Sequence, residues 1–237
     1  ANHQFVDIHN FKKKLRRRMS AAQNGFENFL VVEKNSRKVY CAHSSKEVNQ
    51  LAMENTDPNL PEFGVAHEYR ILSNLSHPTI IQLHGFSHVD FHDDPSKPII
   101  ILEYMPNGSL QNVIDQLRKG EVPTFWNHTR LLINLYGIAS GMSYIHSKNI
   151  LYLDLKPDNV LLDSNYYPKI TNFGSSIILE KSEEIEGVSR GTPRYLSPEM
   201  YESGCASKKN DVYAFALLMF FLFGNSHWKV FNQFAIA

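Results

Sequence analysis

The segment TRLLINLYGIASGMSYIHS, Thr129 to Ser147, places apolar residues at Leu131, Leu132, Leu135, Ile138, Ala139, Met142 and Ile145. This is the 3.6-residue period of an amphipathic helix, sustained over several turns. Such a helix must lay its apolar stripe on other elements, so the flanking sequence decides the fold. Upstream the chain carries strand signals. FLVVEK (Phe29–Lys34) and KVYCAH (Lys38–His43) read as a hairpin joined at Asn35-Ser36. Pro58 to Pro61 is a breaker-rich loop, and Val65 to Leu75 is a predicted helix with Ile71, Leu72 and Leu75 on one face. TIIQLHGF and PIIILEYM follow as strands around a polar loop, and MPNGSL is a turn that opens a helix.

Downstream, NVLLD and PKITNF bracket a turn at Ser164-Asn165, and a polar segment with Glu183, Glu184 and Glu186 leads to GTPRYLSPEM. Asp211 then opens an apolar helix. A strand-rich half followed by a helical half predicts two lobes with a cleft between them, divided near Pro106–Gly108.

The chain has 237 residues, with 24 basic and 24 acidic side chains, so no net field draws it to nucleic acid or an anionic membrane. Cys41 and Cys205 are its two cysteines; this excludes a disulfide framework and points to a reducing, cytoplasmic setting. Ala214 to Phe223, AFALLMFFLF, is too short to span a bilayer and is expected to be a buried core helix. The basic run Lys12–Arg18 is read as the solvated edge of a first strand rather than a nucleic-acid or lipid site. His84, His88, Asp90, His92, Asp93 and Asp94 are read as a polar loop rather than a metal site. The chain starts at Ala1 rather than methionine, as a piece of a longer protein would.

Several short motifs occur in a fixed order: Glu68 in the first predicted helix, ILEYM, YLDLKPDN (Tyr152–Asn159), NFG (Asn172–Gly174), SPE (Ser197–Glu199) and DVYAFALL. Together they resemble the protein kinase superfamily, with its catalytic loop, D-F-G and A-P-E motifs. DLKPDN with GTPRY is similar to the serine/threonine branch, and HPTIIQLHGF with PNGSL to its tyrosine-kinase-like members. The resemblance runs from about Leu15 to Phe223. It implies an α+β, two-lobed kinase-like fold: an N-terminal extension (1–14), a small lobe with an antiparallel sheet (15–106) and a partial, mainly helical large lobe (107–237), truncated after the helix that Asp211 opens. Glu199 would normally pair with an arginine in the part that has no counterpart.

The resemblance also implies ATP and Mg²⁺ as cofactors, and here the motifs are degraded. Aligning Ala22 to Phe29 with the glycine-rich loop replaces its glycines by Ala22, Asn24 and Glu27, and sets Phe29 where a valine would cover the adenine, above Cys41 and Leu161. His43 stands where the phosphate-binding lysine would pair with Glu68, and Asn172 where an aspartate would hold the metal. Mg²⁺ favours carboxylate ligands, which asparagine does not supply. Backbone groups of Glu103 and Met105 are expected to receive the base. By the same resemblance Asp154 would take the substrate hydroxyl proton, Lys156 would neutralise the transferred group, Asn159 would hold a metal and Thr192 would tie the substrate loop to Asp154. Leu72, Leu83, Phe173 and Tyr152 resemble the family's apolar spine, anchored on Asp211. Leu153 replaces the arginine that receives activation-loop phosphate, although Ser182 and Ser189 lie in that segment.

The expectation is a pseudokinase, a signalling scaffold or allosteric partner of another protein. The alternatives are a weak or atypical ATP-dependent serine/threonine kinase that uses Asp154, and a domain that binds nucleotide without turnover. Oligomeric state is left open.

Overall fold

A computed structural model of the chain describes residues 5–18, 26–45, 64–179 and 183–224. Ala22, Asn24, Pro58, Pro61 and Ser182 lie outside the described residues. The fold divides into two compact units, one built from residues 1–76, 81–105 and 172–174, the other from 77–80, 106–171 and 175–237.

Among the described residues the first unit shows a five-stranded antiparallel sheet and an α-helix. Its strands are β1 (Phe11–Arg18), β2 (Phe26–Glu33), β3 (Val39–Ser45), β4 (Leu83–Ser87) and β5 (Ile99–Glu103), in the order β1-β2-β3-β5-β4. The β2–β3 hairpin closes where Glu33 N–H donates to Lys38 O at 3.0 Å and Arg37 takes a left-handed φ of 61°. That closure fixes the register, pairing Asn28 with His43, Phe29 with Ala42, Leu30 with Cys41 and Val31 with Tyr40. Ile8, Phe11, Val31, Ala42, Ile99 and Ile101 form the core on one face. The expected N-terminal extension is not a separate piece over its described residues: Val6 N–H donates to Phe86 O at 2.9 Å, and β1 runs through residue 15.

Helix α1 (Val65–Leu72) stops short of the expected Leu75. The Ser73 hydroxyl and Asn74 amide both donate to Arg70 O, and the chain tightens into Asn74 N–H to Ile71 O. Side chains that compete for backbone carbonyls in this way end helices.

The second unit carries α2 (Leu110–Arg118), α3 (His128–Ser147), α4 (Pro198–Ser203) and α5 (Lys208–Gly224), with the short paired strands β6 (Ile150–Leu151), β7 (Val160–Leu162), β8 (Pro168–Ile170), β9 (Ile177–Ile178), β10 (Glu184–Ile185) and β11 (Ala206–Ser207). The Asn127 side chain caps α3 by accepting from Arg130 N–H at 2.8 Å. Leu131, Leu135, Ile138, Met142 and Ile145 are buried as expected, whereas Leu132 and Ala139 are exposed. The helix turns Gly137 and Gly141 inward instead. A Cβ on Gly141 would come within 2.6 Å of Thr79 Oγ1, so the close approach excludes larger residues.

The apolar helix α5 is not buried all round. Ala214, Leu218 and Leu222 are buried, while Val212, Tyr213, Phe220 and Phe223 are exposed. Among the described residues no helix is long and apolar enough to cross a membrane.

Candidate active site

In the first unit, β3 presents Cys41 and His43 on one face of the sheet, since alternate residues of a strand share a face. Their partners across the hairpin, Leu30 and Asn28, stand on that face too. His43 Nδ1 lies 2.6 Å from Asn28 Oδ1, and Nε2 lies 3.4 Å from Glu68 Oε2 on α1. Glu68 Oε1 accepts the N–H of Phe173 at 3.0 Å. His43, Glu68 and Phe173 are buried, and Asn28 is half-buried. Burial lowers the His43 pKa, with the negative charge of Glu68 opposing. The Cys41 thiol is pushed up to about 12, by burial first and by Glu68 second.

Phe29 is not where the sequence alignment puts it. It pairs with Ala42, so it stands on the opposite face from Cys41 and His43, against Phe91 at 6.0 Å and under Lys13 Nζ at 4.5 Å from its ring centre. Leu30, paired with Cys41 and buried, holds the position that the valine has in the family. The alignment is thus one residue out, and a one-residue slip reverses every side chain of a strand. Corrected, Asn28 rather than Glu27 replaces the last glycine. Glu27, paired with Ser44, stands on the face opposite His43. The corrected second glycine position is Gly25, which lies outside the described residues, as do Ala22 and Asn24.

Asn172 has a left-handed φ of 62°, which asparagine tolerates better than most residues. The turn is therefore kept while its side chain is neutral. Met105 is buried at the end of this unit, and Gln82 N–H donates to the Glu103 carboxylate at 2.7 Å.

In the second unit the loop after β6 converges on Asp154. Thr192 Oγ1 donates to Asp154 Oδ1 at 2.6 Å, Lys156 Nζ lies 3.0 Å from Oδ2, and Asn159 Nδ2 donates to Oδ2 at 2.7 Å. Lys156 also donates to Thr192 Oγ1 at 2.6 Å. Asp154, Lys156 and Asn159 are buried, so these contacts act with little screening by water. Leu161, in β7, pairs with Lys169 and forms a bridge with Ser109.

The loop is hung from α5. Asp211 accepts the N–H groups of Tyr152 at 2.9 Å and Leu153 at 2.7 Å, and faces His146 Nε2 at 2.8 Å. Leu153 has a left-handed φ of 65°. Its side chain joins an apolar cluster of Leu151, Ile177, Leu179, Met200 and Ala206. Glu199 is approached by Asn210 Nδ2 at 3.5 Å. Arg190 is buried and donates to the Ser175 and Ser176 carbonyls, and burial brings its pKa down to about 10. Ser189 is exposed. In the polar loop after β4, Asp90 Oδ1 accepts the N–H groups of His92 and Asp94, and Asp93 Oδ1 lies 2.9 Å from His9 Nε2. Among the described residues no group of three ligating side chains could hold a metal ion.

Sequence reasoning missed Asn28, Leu30, His146 and Arg190. The hairpin register finds the first two. Nothing in the spacing marks His146 or Arg190.

A sheet unit with a buried residue of β3 facing a helix glutamate, and a second unit with a D-x-K-x-x-N loop bound to a threonine of a later segment, match the motifs of a protein kinase domain. The comparisons agree. The protein kinase domain profile matches residues 27–233, and the chain belongs to that family. It is 33% identical over 190 residues to the PR5-like receptor kinase of Arabidopsis thaliana, covering 77% of this chain and 27% of that protein. It is 32% identical over 209 residues to the probable serine/threonine-protein kinase PBL7 of the same plant, covering 84% and 53%. Protein SUPPRESSOR OF NPR1-1 CONSTITUTIVE 4, also from Arabidopsis thaliana, is 36% identical over 174 residues, covering 70% and 15%. The chain thus spans about half or less of the length of these relatives.

The family generally uses ATP and Mg²⁺, and the residues present fit neither well. At the metal position Asn172 offers a carboxamide in place of a carboxylate. At the phosphate position His43 has both ring nitrogens directed at protein groups.

Proposed function

We propose that this domain is a pseudokinase: a protein kinase fold that acts by binding a protein partner, as a signalling scaffold or allosteric element, with phosphotransfer lost or strongly reduced. The observation that carries this reading is Asn172. Its turn keeps the left-handed backbone, and the next N–H is held by Glu68, so the metal ligand is lost through chemistry and not through collapse of the site. Removing one preorganised charge-stabilising group costs roughly 10²–10³ in rate. His43 replaces a second such group, although losses within one site need not multiply.

One arrangement favours a second reading, a weak serine/threonine kinase. Asp154, Lys156, Asn159 and Thr192 are assembled around one carboxylate. In that reading Asp154 accepts the substrate hydroxyl proton and Lys156 balances the charge of the group transferred. The relatives named as serine/threonine kinases support the substrate class.

Calorimetry with ATP, with and without Mg²⁺, tests the first reading, together with transfer to a generic serine/threonine peptide. Weak binding that Mg²⁺ leaves unchanged, and no transfer, is the expected result. Transfer by the unmodified chain that Asp154→Ala abolishes would establish the second reading instead.

A further inference from the structure

The buried chain of contacts around His43 has a consequence beyond lost chemistry. A lysine at this position has three N–H donors, enough to serve Glu68 and a phosphate together. An imidazole has two nitrogens, and here one meets Asn28 and the other Glu68. The part of the lysine's work that holds α1 is kept, while the part that reaches a phosphate is given up.

Asn28 decides whether this arrangement is satisfied. As placed, its Oδ1 faces Nδ1, which suits an imidazolium that donates from both nitrogens. A neutral ring protonated only on Nδ1 would set a bare Nε2 against the Glu68 carboxylate. Rotating the Asn28 amide by half a turn removes that conflict: Nδ2 then donates to Nδ1, and Nε2–H donates to Glu68. An asparagine therefore completes the contacts in both protonation states of the ring. A leucine could do neither, and an aspartate only the charged one. The titratable groups around the ring are Glu68 on α1 and Cys41 on its own strand; β5 pairs Ile100 with His43, and β2 contributes Asn28 itself.

Resting on the pseudokinase reading, we propose that Asn28 is the positioning residue of a nucleotide-independent clamp, in which Asn28, His43 and Glu68 hold α1 to the turn at Phe173 without any bound phosphate. Glu68 links the two ends: one carboxylate oxygen faces His43 and the other accepts the Phe173 N–H. The helix thus stays in one arrangement whether or not a nucleotide is present, as an interaction surface that must persist requires. Burial favours the neutral ring at pH 7, so the turned amide is the resting form and the charged form appears on acidification.

Amide hydrogen exchange of residues 65–72 and NMR of the His43 ring test the clamp in the full chain and in folded Asn28→Leu and Asn28→Asp variants. Asn28→Leu is expected to speed exchange in α1 at least tenfold. Asn28→Asp is expected to keep the protected helix and to move the His43 titration to higher pH by more than one pH unit. In the parent chain, saturating ATP with Mg²⁺ is expected to leave α1 exchange unchanged within twofold. Unchanged α1 exchange in Asn28→Leu, or an unmoved His43 titration in Asn28→Asp, would overturn the role of Asn28. Tenfold slowing of α1 exchange by ATP with Mg²⁺ in the parent would overturn nucleotide independence. Phosphotransfer by the parent chain bears on the pseudokinase reading alone, so the two failures are distinguishable.

Discussion

Gly191 sits so close to the carbonyl of Leu153 that a Cβ at Gly191 would come within 2.5 Å of that oxygen. Gly191 also has a φ of 95°, outside the range that L side chains readily adopt. The segment before Thr192 can approach the loop before Asp154 only because there is no side chain here. Gly191→Ala is therefore expected to destabilise the chain by about 2 kcal/mol or more, from strain and overpacking together. Urea unfolding checks this, and a stability unchanged within 0.5 kcal/mol, a surface-like effect, would contradict the tight approach.

Asp211 is a buried carboxylate that accepts two backbone N–H groups. Replacing it with asparagine removes the charge and turns an N–H₂ toward one of those donors. The expected cost is about 3 kcal/mol, since hydrogen bonds to charged groups are the strong ones and the partners stay buried. His146→Gln, which removes one contact at the rim, should cost about 1 kcal/mol. Equal losses for the two variants in chemical denaturation would argue against the carboxylate as the anchor.

Cys41 faces the same side of the sheet as His43, and its thiol pKa is raised to about 12. Only the thiolate reacts with alkylating agents, so the native thiol should label slowly at pH 7.5. Against the unperturbed 9.0, the rate at Cys41 is expected to fall on the order of 10³-fold relative to the unfolded chain. Mass spectrometry after iodoacetamide treatment measures this site by site, and native labelling within tenfold of the denatured rate would contradict the burial of the thiol.

His43→Lys and Asn172→Asp act on the same phosphates and metal, so their effects on ATP binding should couple rather than add. The lysine restores a permanent cation beside Glu68, and the aspartate a carboxylate for Mg²⁺. Weak transfer to a serine/threonine peptide is expected from the double variant only, abolished by Asp154→Ala. A folded double variant that binds ATP with Mg²⁺ tightly but transfers nothing would show that Asp154 is not placed to act.

Phe29→Val is expected to leave nucleotide affinity unchanged and to lower stability by about 1 kcal/mol, because the ring packs on Phe91 and Lys13 on the far face of the sheet. Isothermal titration and denaturation on one sample separate the two effects; a gain in ATP affinity would place the ring on the His43 face after all.

The contrast between Phe29 and His43 shows what the sequence could yield. The resemblance to the kinase motifs pairs His43 with Glu68, and the structure brings them within 3.4 Å. The sheet and the α3 stripe are legible from residue periodicity, and the loop from Asp154 to Asn159 from its resemblance to the family motif. Phe29 was misplaced because the glycine-rich motif has lost most of its glycines and no longer fixes the register. The hairpin does fix it: closing Glu33 on Lys38 puts Asn28 opposite His43 and Leu30 opposite Cys41. The end of α1 was misjudged because Ser73 and Asn74 compete for the Arg70 carbonyl, a contest that apolar periodicity does not register. His146 and Arg190 were out of reach because their partners are backbone or carboxylate groups far along the chain.

The bonds from Tyr152 and Leu153 to Asp211 span 59 and 58 residues of chain. Contacts so distant in sequence close late in folding, after local hairpins and helix turns have formed. The loop from Tyr152 to Asn159 is therefore expected to be among the last parts of its unit to acquire shape, once the start of α5 is in place. A fragment ending before Lys208 would carry every residue from Tyr152 to Asn159 and still lack the carboxylate that bends Leu153 into its left-handed turn. Possession of the motif and possession of the loop are separate properties of a polypeptide, and in this chain the second is conferred by one aspartate on a helix the motif does not contain.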